Sequence, residues 1–250
     1  ERFLEWGGLR AAAPLQELLA SSRRPPDRLQ SALREYTGPR ILDADEDGWY
    51  EERSQYQEGN LESWVLDRDQ DGVAEAEVQF DAGVPRSLAA AGMEYRYSAY
   101  PYLAEVSARD GRGSRMYELP PYRERLALFS GSAPFGAGPL RLDAGRWPTE
   151  AEIARLASAL REAGDGEGER RYTLLAGQVV RMEESPDSSG RYGRVVEYSG
   201  GRPVAGRRDL DLDGLFEVRE SYEAGRLTGL VEDRDGDGAK RPVVLRQRDR

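Results

Sequence analysis

The side chains best suited to chemistry in this sequence are aspartates that alternate with other residues in short runs ending in glycine. Four such hexads occur, at residues 43–48, 67–72, 209–214 and 233–238, and the two members of each pair start 24 residues apart. A tight turn would bring three alternating carboxylates to one point, and the glycine permits that turn. A hard divalent cation would remove the repulsion among the carboxylates. The hexads therefore predict cation binding.

The hexads belong to a longer repeat, in which the first aspartate is counted as position 1. In the first three copies, position 9 is Glu, position 14 is aromatic and position 17 is Gly. A constant period with constant residue types indicates a structural repeat. Polar and apolar side chains alternate after the third hexad, from Phe216 to Tyr222, which predicts a half-buried strand.

Each hexad resembles the first half of an EF-hand calcium loop, and the resemblance implies Ca²⁺ ligation by the aspartates. An EF-hand also needs a bidentate Glu at position 12, where this chain has Ser54, Val78, Glu220 and Val244. No amphipathic helix follows the hexads. We therefore predict a calcium loop that leads into a β-strand, with the position 9 Glu as an extra oxygen donor. The fourth copy has Arg241 at that position and should bind most weakly.

The predicted ligands are the carboxylates of positions 1, 3 and 5, the main-chain carbonyl of position 7 and the position 9 carboxylate. They are Asp43, Asp45, Asp47, Trp49, Glu51, Asp67, Asp69, Asp71, Val73, Glu75, Asp209, Asp211, Asp213, Leu215, Glu217, Asp233, Asp235, Asp237 and Ala239. The alternative is that Asp and Gly only form polar turns between strands. Four copies in phase favour metal binding, because a turn needs only one or two of the carboxylates.

A second pattern, Tyr-x-x-Gly-x-Leu, follows the first and third hexads (Tyr56, Gly59, Leu61; Tyr222, Gly225, Leu227). It resembles the hairpin element of YD-type and related β-hairpin repeat families. The resemblance implies a packed aromatic ring, a glycine with positive φ at the turn and an apolar residue that restarts the strand. Two further units, starting at Arg161 and Ser185, keep the hairpin positions but lose most of the aspartates. We call them the worn units.

These patterns predict a mainly β fold of tandem antiparallel β-hairpin repeats, as an extended sheet or an open barrel. Periodic leucines predict an N-terminal helix pair at residues 9–21 and 26–36, and Thr149 with Glu152 forms a capping box for a helix at residues 149–163. The expected divisions are a helical segment (1–40), a first repeat pair (41–90), a β insertion with a long loop (91–147), a helix (148–164) and a second repeat array (165–250).

Composition narrows the class of function. The net charge of −10 disfavours nucleic acid and anionic membrane surfaces as partners, and four divalent ions would bring it to −2. The chain has no Cys and no His, which excludes disulfides and thiolate sites and removes the usual zinc ligand and general base. No apolar run approaches the 18 residues of a membrane span.

The sequence favours a non-catalytic cell-envelope protein, a binding or scaffold module that Ca²⁺ stabilises. Loops without the position 12 Glu should have dissociation constants of about 10⁻⁴ M or weaker, which suits the periplasm or cell surface. One alternative is a glycan-acting hydrolase with structural calcium. Another is the C-terminal part of a helical-repeat protein-interaction protein. The partner, protein or glycan, stays open, as does the role of Tyr95, Tyr97, Tyr100 and Tyr102, for which packing is favoured over a binding platform.

Overall fold

A computed structural model describes most of the β region of the chain. The described residues are 34–43, 45, 47–110, 113–127, 129–130, 141–142, 147–164, 168–187, 189–233 and 241–243. The predicted helix at 9–21 lies outside these residues, as does the predicted helix at 26–36 apart from its last three positions.

Strands dominate the described residues, as the repeat predicts, and one helix accompanies them. In chain order they are β1 (Gly38–Leu42), β2 (Glu52–Gln57), β3 (Asn60–Leu66), β4 (Ala76–Asp81), β5 (Val84–Ala90), β6 (Met93–Ala99), β7 (Tyr102–Asp110), β8 (Gly113–Glu118), β9 (Phe129–Ser130), β10 (Arg141–Leu142), α1 (Glu150–Leu156), β11 (Ala159–Gly164), β12 (Glu169–Leu175), β13 (Gln178–Ser185), β14 (Arg194–Ser199), β15 (Arg202–Arg208), β16 (Val218–Glu223), β17 (Arg226–Glu232) and β18 (Arg241–Val243).

The chain forms two compact units, residues 1–106 with 121–148 and residues 107–120 with 149–250. In the first unit, β1 to β6 pair antiparallel with their neighbours in chain order. In the second unit, β8 pairs with β11, and β11 to β18 continue antiparallel in chain order. The predicted architecture of tandem hairpins in an open sheet is thereby confirmed.

A two-residue turn closes the hairpin in every repeat. Its two residues occupy positions 16 and 17 and both have positive φ, for example Glu58 at 47° and Gly59 at 74°. Two successive positive φ angles define the turn type whose twist matches that of the strands, and glycine adopts such angles without strain. A register shift precedes the residue at position 14 in each hairpin, as between Gln55 and Tyr56. The turn predicted from the glycine is confirmed, whereas the bulge has no signal in the sequence.

Alternate residues of each strand form the core, which is why the strands read as apolar and polar in turn. Trp64, Val78, Leu88 and Tyr95 are almost fully buried on β3 to β6. In the second unit the corresponding positions include Val195, Val196 and Val218. Tyr95 therefore belongs to the core, and Tyr97 packs edge to face on Tyr100 with 5.2 Å between ring centroids, as the packing interpretation expects.

The helix predicted at residues 149–163 is correct at its start and wrong at its end. Thr149 accepts a hydrogen bond from the Glu152 amide and the Glu152 carboxylate caps Thr149 in return, which confirms the capping box. The helix stops at Leu156, because Ala157 adopts an extended conformation with ψ of 144°. Ala159–Gly164 then forms β11, whose backbone groups pair with β8 on one side and β12 on the other. Pairing on both edges outweighs the helical preference of this segment.

Candidate metal centre

Each repeat contains two antiparallel strands, so the chain returns to the same end of its unit once per period. The first two hexads connect β1 to β2 and β3 to β4 at one end of the first unit. In the second unit, the third hexad connects β15 to β16, and the fourth connects β17 to β18. The two-residue turns at position 17 lie at the opposite strand ends. The period of 24 residues therefore places the acidic loops of each unit side by side.

Three of the four predicted carboxylate groups converge in the structure. One carboxylate oxygen from each member lies within 4.8 Å of the others, and the groups are Asp43 with Asp45 and Asp47, Asp67 with Asp69 and Asp71, and Asp209 with Asp211, Asp213 and Glu217. Such a group can hold a metal ion, although exposed acidic residues also cluster without one. In the fourth hexad only Asp233 is described; Asp235, Asp237 and Ala239 lie outside the described residues.

Backbone geometry explains the convergence. The glycine at position 6 has a φ of 93° in the first hexad, 85° in the second and 97° in the third, so each loop turns sharply there. Its amide donates to the position 1 carboxylate, from Gly48 to Asp43 at 3.2 Å and from Gly214 to Asp209 at 2.8 Å. The amide of position 7 donates to the position 5 carboxylate in all three loops, at 2.7 to 2.8 Å. These bonds aim the remaining carboxylate oxygens toward the loop interior.

The glutamate at position 9 closes the loop. Glu75 Oε2 accepts a hydrogen bond from the Arg68 amide at 2.8 Å, and Glu217 Oε2 accepts one from the Leu210 amide at 2.7 Å. Glu217 also joins its carboxylate group, whereas the groups of the first two hexads consist of aspartates alone. A ligand role for Glu217 fits this geometry. The same role for Glu51 and Glu75 stays a prediction.

The aspartate at position 1 differs from the other two because it is buried. Asp67 is 8% exposed and Asp209 is 6% exposed, while positions 3 and 5 of the same hexads are exposed. Asp209 accepts hydrogen bonds from the amides of Asp213 and Gly214. By contrast, Asp67 Oδ1 and Asp233 Oδ1 are buried atoms without a hydrogen-bond partner. A buried carboxylate oxygen with no donor is costly, and a cation is the partner that would satisfy it.

Successive loops are joined by a repeated main-chain hydrogen bond that the sequence does not reveal. The amide of position 1 donates to the carbonyl of position 9 in the preceding unit. This bond joins Asp67 to Glu51 at 2.9 Å, Asp209 to Gly193 at 3.0 Å and Asp233 to Glu217 at 2.7 Å. We call it the inter-loop bond. It fixes the backbone of each buried aspartate to the loop before it.

Position 12, the bidentate ligand of an EF-hand, serves the sheet instead. Glu220 has a fully buried side chain and accepts hydrogen bonds from Arg194 at 3.1 Å, from Tyr222 at 2.5 Å and from Arg208. Burial opposes ionisation of Glu220, but the hydrogen bonds from Tyr222 and the two arginines outweigh it and lower the pKa. Ser54 and Val78, the equivalent residues, are buried in β2 and β4. These three loops therefore lack the position 12 ligand.

Side chains at position 7 are exposed in every loop that the structure describes. Trp49 is 67% exposed, Val73 69% and Leu215 70%. They are predicted to contribute only a main-chain carbonyl, and their exposure is consistent with a side chain that is not needed for the loop.

A scan against protein-family models found no match for this chain, and no curated protein is similar enough to count as a relative. Among the residues that the structure describes, no helix is both long and apolar enough to cross a membrane. The class of protein is therefore defined by its own fold and loops: a β-hairpin repeat protein with acidic clusters that can hold metal ions.

Proposed function

We propose that this protein binds Ca²⁺ in its acidic loops and acts as a non-catalytic, extracytoplasmic binding or scaffold module whose fold the ions stabilise. The observation that carries the proposal is the buried Asp67, whose Oδ1 has no hydrogen-bond partner and whose carboxylate lies with those of Asp69 and Asp71. Burial of an unpaired carboxylate next to two others is unfavourable unless a cation neutralises the group.

The donor set favours Ca²⁺ among divalent cations. All candidate side-chain ligands are carboxylates, and the chain contains no Cys or His to attract softer metals. Ca²⁺ accepts six to eight oxygens in flexible geometry, whereas Mg²⁺ requires a near-ideal octahedron. The loops differ in their donors, since Glu217 joins one group and the other two contain aspartate alone. Tolerance of unequal donor sets is a property of Ca²⁺.

Stabilisation follows from linkage. An ion that binds only the folded loop adds about 1.4 kcal/mol to the free energy of unfolding when its concentration is about ten times the dissociation constant. Four occupied hexads would add more than about 5 kcal/mol, which is comparable with the whole stability of an ordinary domain. Weak individual sites are sufficient for this effect in a compartment with millimolar calcium.

Calorimetric titration of the full chain with Ca²⁺ and with Mg²⁺ tests the proposal. We expect saturable Ca²⁺ binding with dissociation constants of about 10⁻⁴ M or weaker and still weaker Mg²⁺ binding. Replacement of the three aspartates of the second hexad by Asn should remove one site. A matched control carries the same charge change at exposed positions outside the hexads, with Glu58→Gln, Glu62→Gln and Asp81→Asn. An equal loss of binding in both variants would reduce the effect to net charge and contradict specific sites.

A further inference from the structure

A cleft between successive loops recurs in both units at the same repeat positions. In the first unit, a cleft of about 440 Å³ has Trp49, Tyr50 and Arg53 on one wall and Asp67 and Gln70 on the other. These residues occupy positions 7, 8 and 11 of one repeat and positions 1 and 4 of the next. We call this space cleft A.

In the second unit, a cleft of about 560 Å³ is lined by Arg191, Tyr192 and Val195 from the worn unit at Ser185, and by Asp209 and Leu212 from the third hexad. The positions are again 7, 8 and 11 of one repeat and 1 and 4 of the next. We call this space cleft B. Since the two clefts are built independently from the same positions, the cleft is a property of the repeat.

Both clefts share three chemical features. A tyrosine at position 8 lies in each, and cleft A adds the exposed indole of Trp49. An arginine lines each cleft on the side opposite the buried aspartate: Arg53 in cleft A and Arg191 in cleft B. The buried aspartate at position 1 belongs to a carboxylate group that can hold a cation. An aromatic surface, a guanidinium and a metal loop therefore meet in one cleft.

A loaded loop would have coordination positions to spare. Ca²⁺ takes six to eight oxygens, and an EF-hand fills two of them with the position 12 carboxylate. Here position 12 is Ser54, Val78 or the arginine-bound Glu220, all within the sheet. The carboxylate of a ligand in the cleft is suited to fill the open positions, with an arginine as its second partner.

A sugar fits cleft A better than a peptide does. The cleft lies on β2 and β3, and each of these strands already pairs with a neighbour on both sides, so a peptide backbone cannot add to the sheet there. A pyranose ring instead presents C–H faces that pack on an indole and hydroxyl groups that hydrogen-bond to Arg53 and Gln70. Aromatic packing with a few polar groups is the usual composition of such sites.

We propose that the inter-loop clefts bind uronate units of an acidic polysaccharide, with the sugar carboxylate placed between the loop Ca²⁺ and the cleft arginine. The inference rests on the proposed function, since it requires a loaded loop. It adds the class of partner that the module recognises.

Titration of the full chain with trigalacturonate in Ca²⁺-containing buffer tests this inference, and a titration without protein corrects for Ca²⁺ binding by the sugar itself. We expect binding that EDTA abolishes and that neutral maltotriose does not reproduce. Trp49→Ala and Arg53→Gln should each weaken binding about tenfold, equivalent to about 1.4 kcal/mol. Leu175→Ala, an equally exposed residue next to a two-residue turn, should leave it unchanged.

The outcomes separate the two proposals. Saturable Ca²⁺ binding without any binding of trigalacturonate would overturn the inference and leave the proposed function standing. Absence of Ca²⁺ binding would overturn both. Equal affinity for a penta-aspartate peptide, unaffected by Trp49→Ala, would show that only charge is recognised and would overturn the assignment to sugars.

Discussion

At the scale of single residues, the aspartate at position 1 explains why the loops differ from ordinary turns. A turn needs a side chain that accepts a backbone amide, and positions 3 and 5 are exposed enough to do that at little cost. Asp67 is buried instead, and its Oδ1 has no donor. Such a residue is unfavourable in the ion-free protein and favourable in the loaded protein, and this difference can be measured.

Asp67→Asn should therefore have opposite effects with and without the ion. In EDTA the variant should be more stable than the wild type by about 1 kcal/mol, because it removes a buried unpaired charge. In saturating Ca²⁺ it should be less stable, because the second loop loses a ligand. Chemical denaturation under both conditions gives the two values. Asp81→Asn, at an exposed position of β4, should show no reversal; a destabilised Asp67→Asn variant in EDTA would contradict this account of the burial.

The glycine at position 6 is required for conformation alone. A Cβ at Gly72 would meet no atom within 4 Å, but the φ of 85° is strained for any residue with a side chain. Gly72→Ala should reduce the free energy of unfolding by about 1–2 kcal/mol. Gly229→Ala is the matched control, since its Cβ would lie 3.7 Å from Ser221 in an ordinary strand conformation. Equal stability of the two variants would show that the loop tolerates other backbone angles.

At the scale of elements, hairpins could be predicted from the sequence and segment boundaries could not. The aromatic at position 14 and the glycine at position 17 act locally, so the two-residue turns follow from residue type. The end of α1 depends on β8 and β12, which lie far away in sequence and pair with β11. The inter-loop bond is equally invisible, because main-chain donors and acceptors have no residue signature.

The inter-loop bond should transmit ion binding from one loop to the next. Ca²⁺ bound in the first hexad should fix the carbonyl of Glu51 and slow hydrogen exchange of the Asp67 amide, which donates to it at 2.9 Å. The effect is isolated in a variant with Asp69→Asn and Asp71→Asn, whose second loop is weakened. Exchange of single amides by NMR gives the result. The Gly59 amide, bonded to Tyr36 at the other end of β2, should not change.

That variant also tests the alternative of independent loops. Unchanged exchange at Asp67 when the first loop alone is loaded would show that the inter-loop bond carries no coupling.

Glu220 stabilises the second unit through ion pairs rather than through metal. Glu220→Gln should reduce the free energy of unfolding at pH 7 by about 2 kcal/mol, since two arginines lose a buried counter-charge. Because the pKa of Glu220 is lowered in the folded protein, its contribution is present above the unfolded-state value of about 4.3 and is lost as pH falls through the folded value. The variant should therefore lose less stability over that acidic range than the wild type.

Denaturation curves between neutral and acidic pH measure both effects. Glu223→Gln, at an exposed position of the same strand, serves as the control. A Glu220→Gln protein as stable as the wild type at pH 7 would refute the role of this network.

At the scale of the whole molecule, acidity and period together express one design. A period that equals two strands returns every hexad of a unit to the same end, so negative charge accumulates there. The sequence predicts which residues form the groups, because spacing fixes the turn. It does not predict that position 1 is buried or that clefts form between loops, since both depend on the packing of neighbouring hairpins.

Thermal unfolding of the full chain in EDTA and in millimolar Ca²⁺ tests the central claim most directly. The account predicts a melting temperature several degrees lower in EDTA, full recovery when Ca²⁺ is restored, and a smaller recovery with Mg²⁺. A melting temperature that is the same in EDTA and in Ca²⁺ would contradict it.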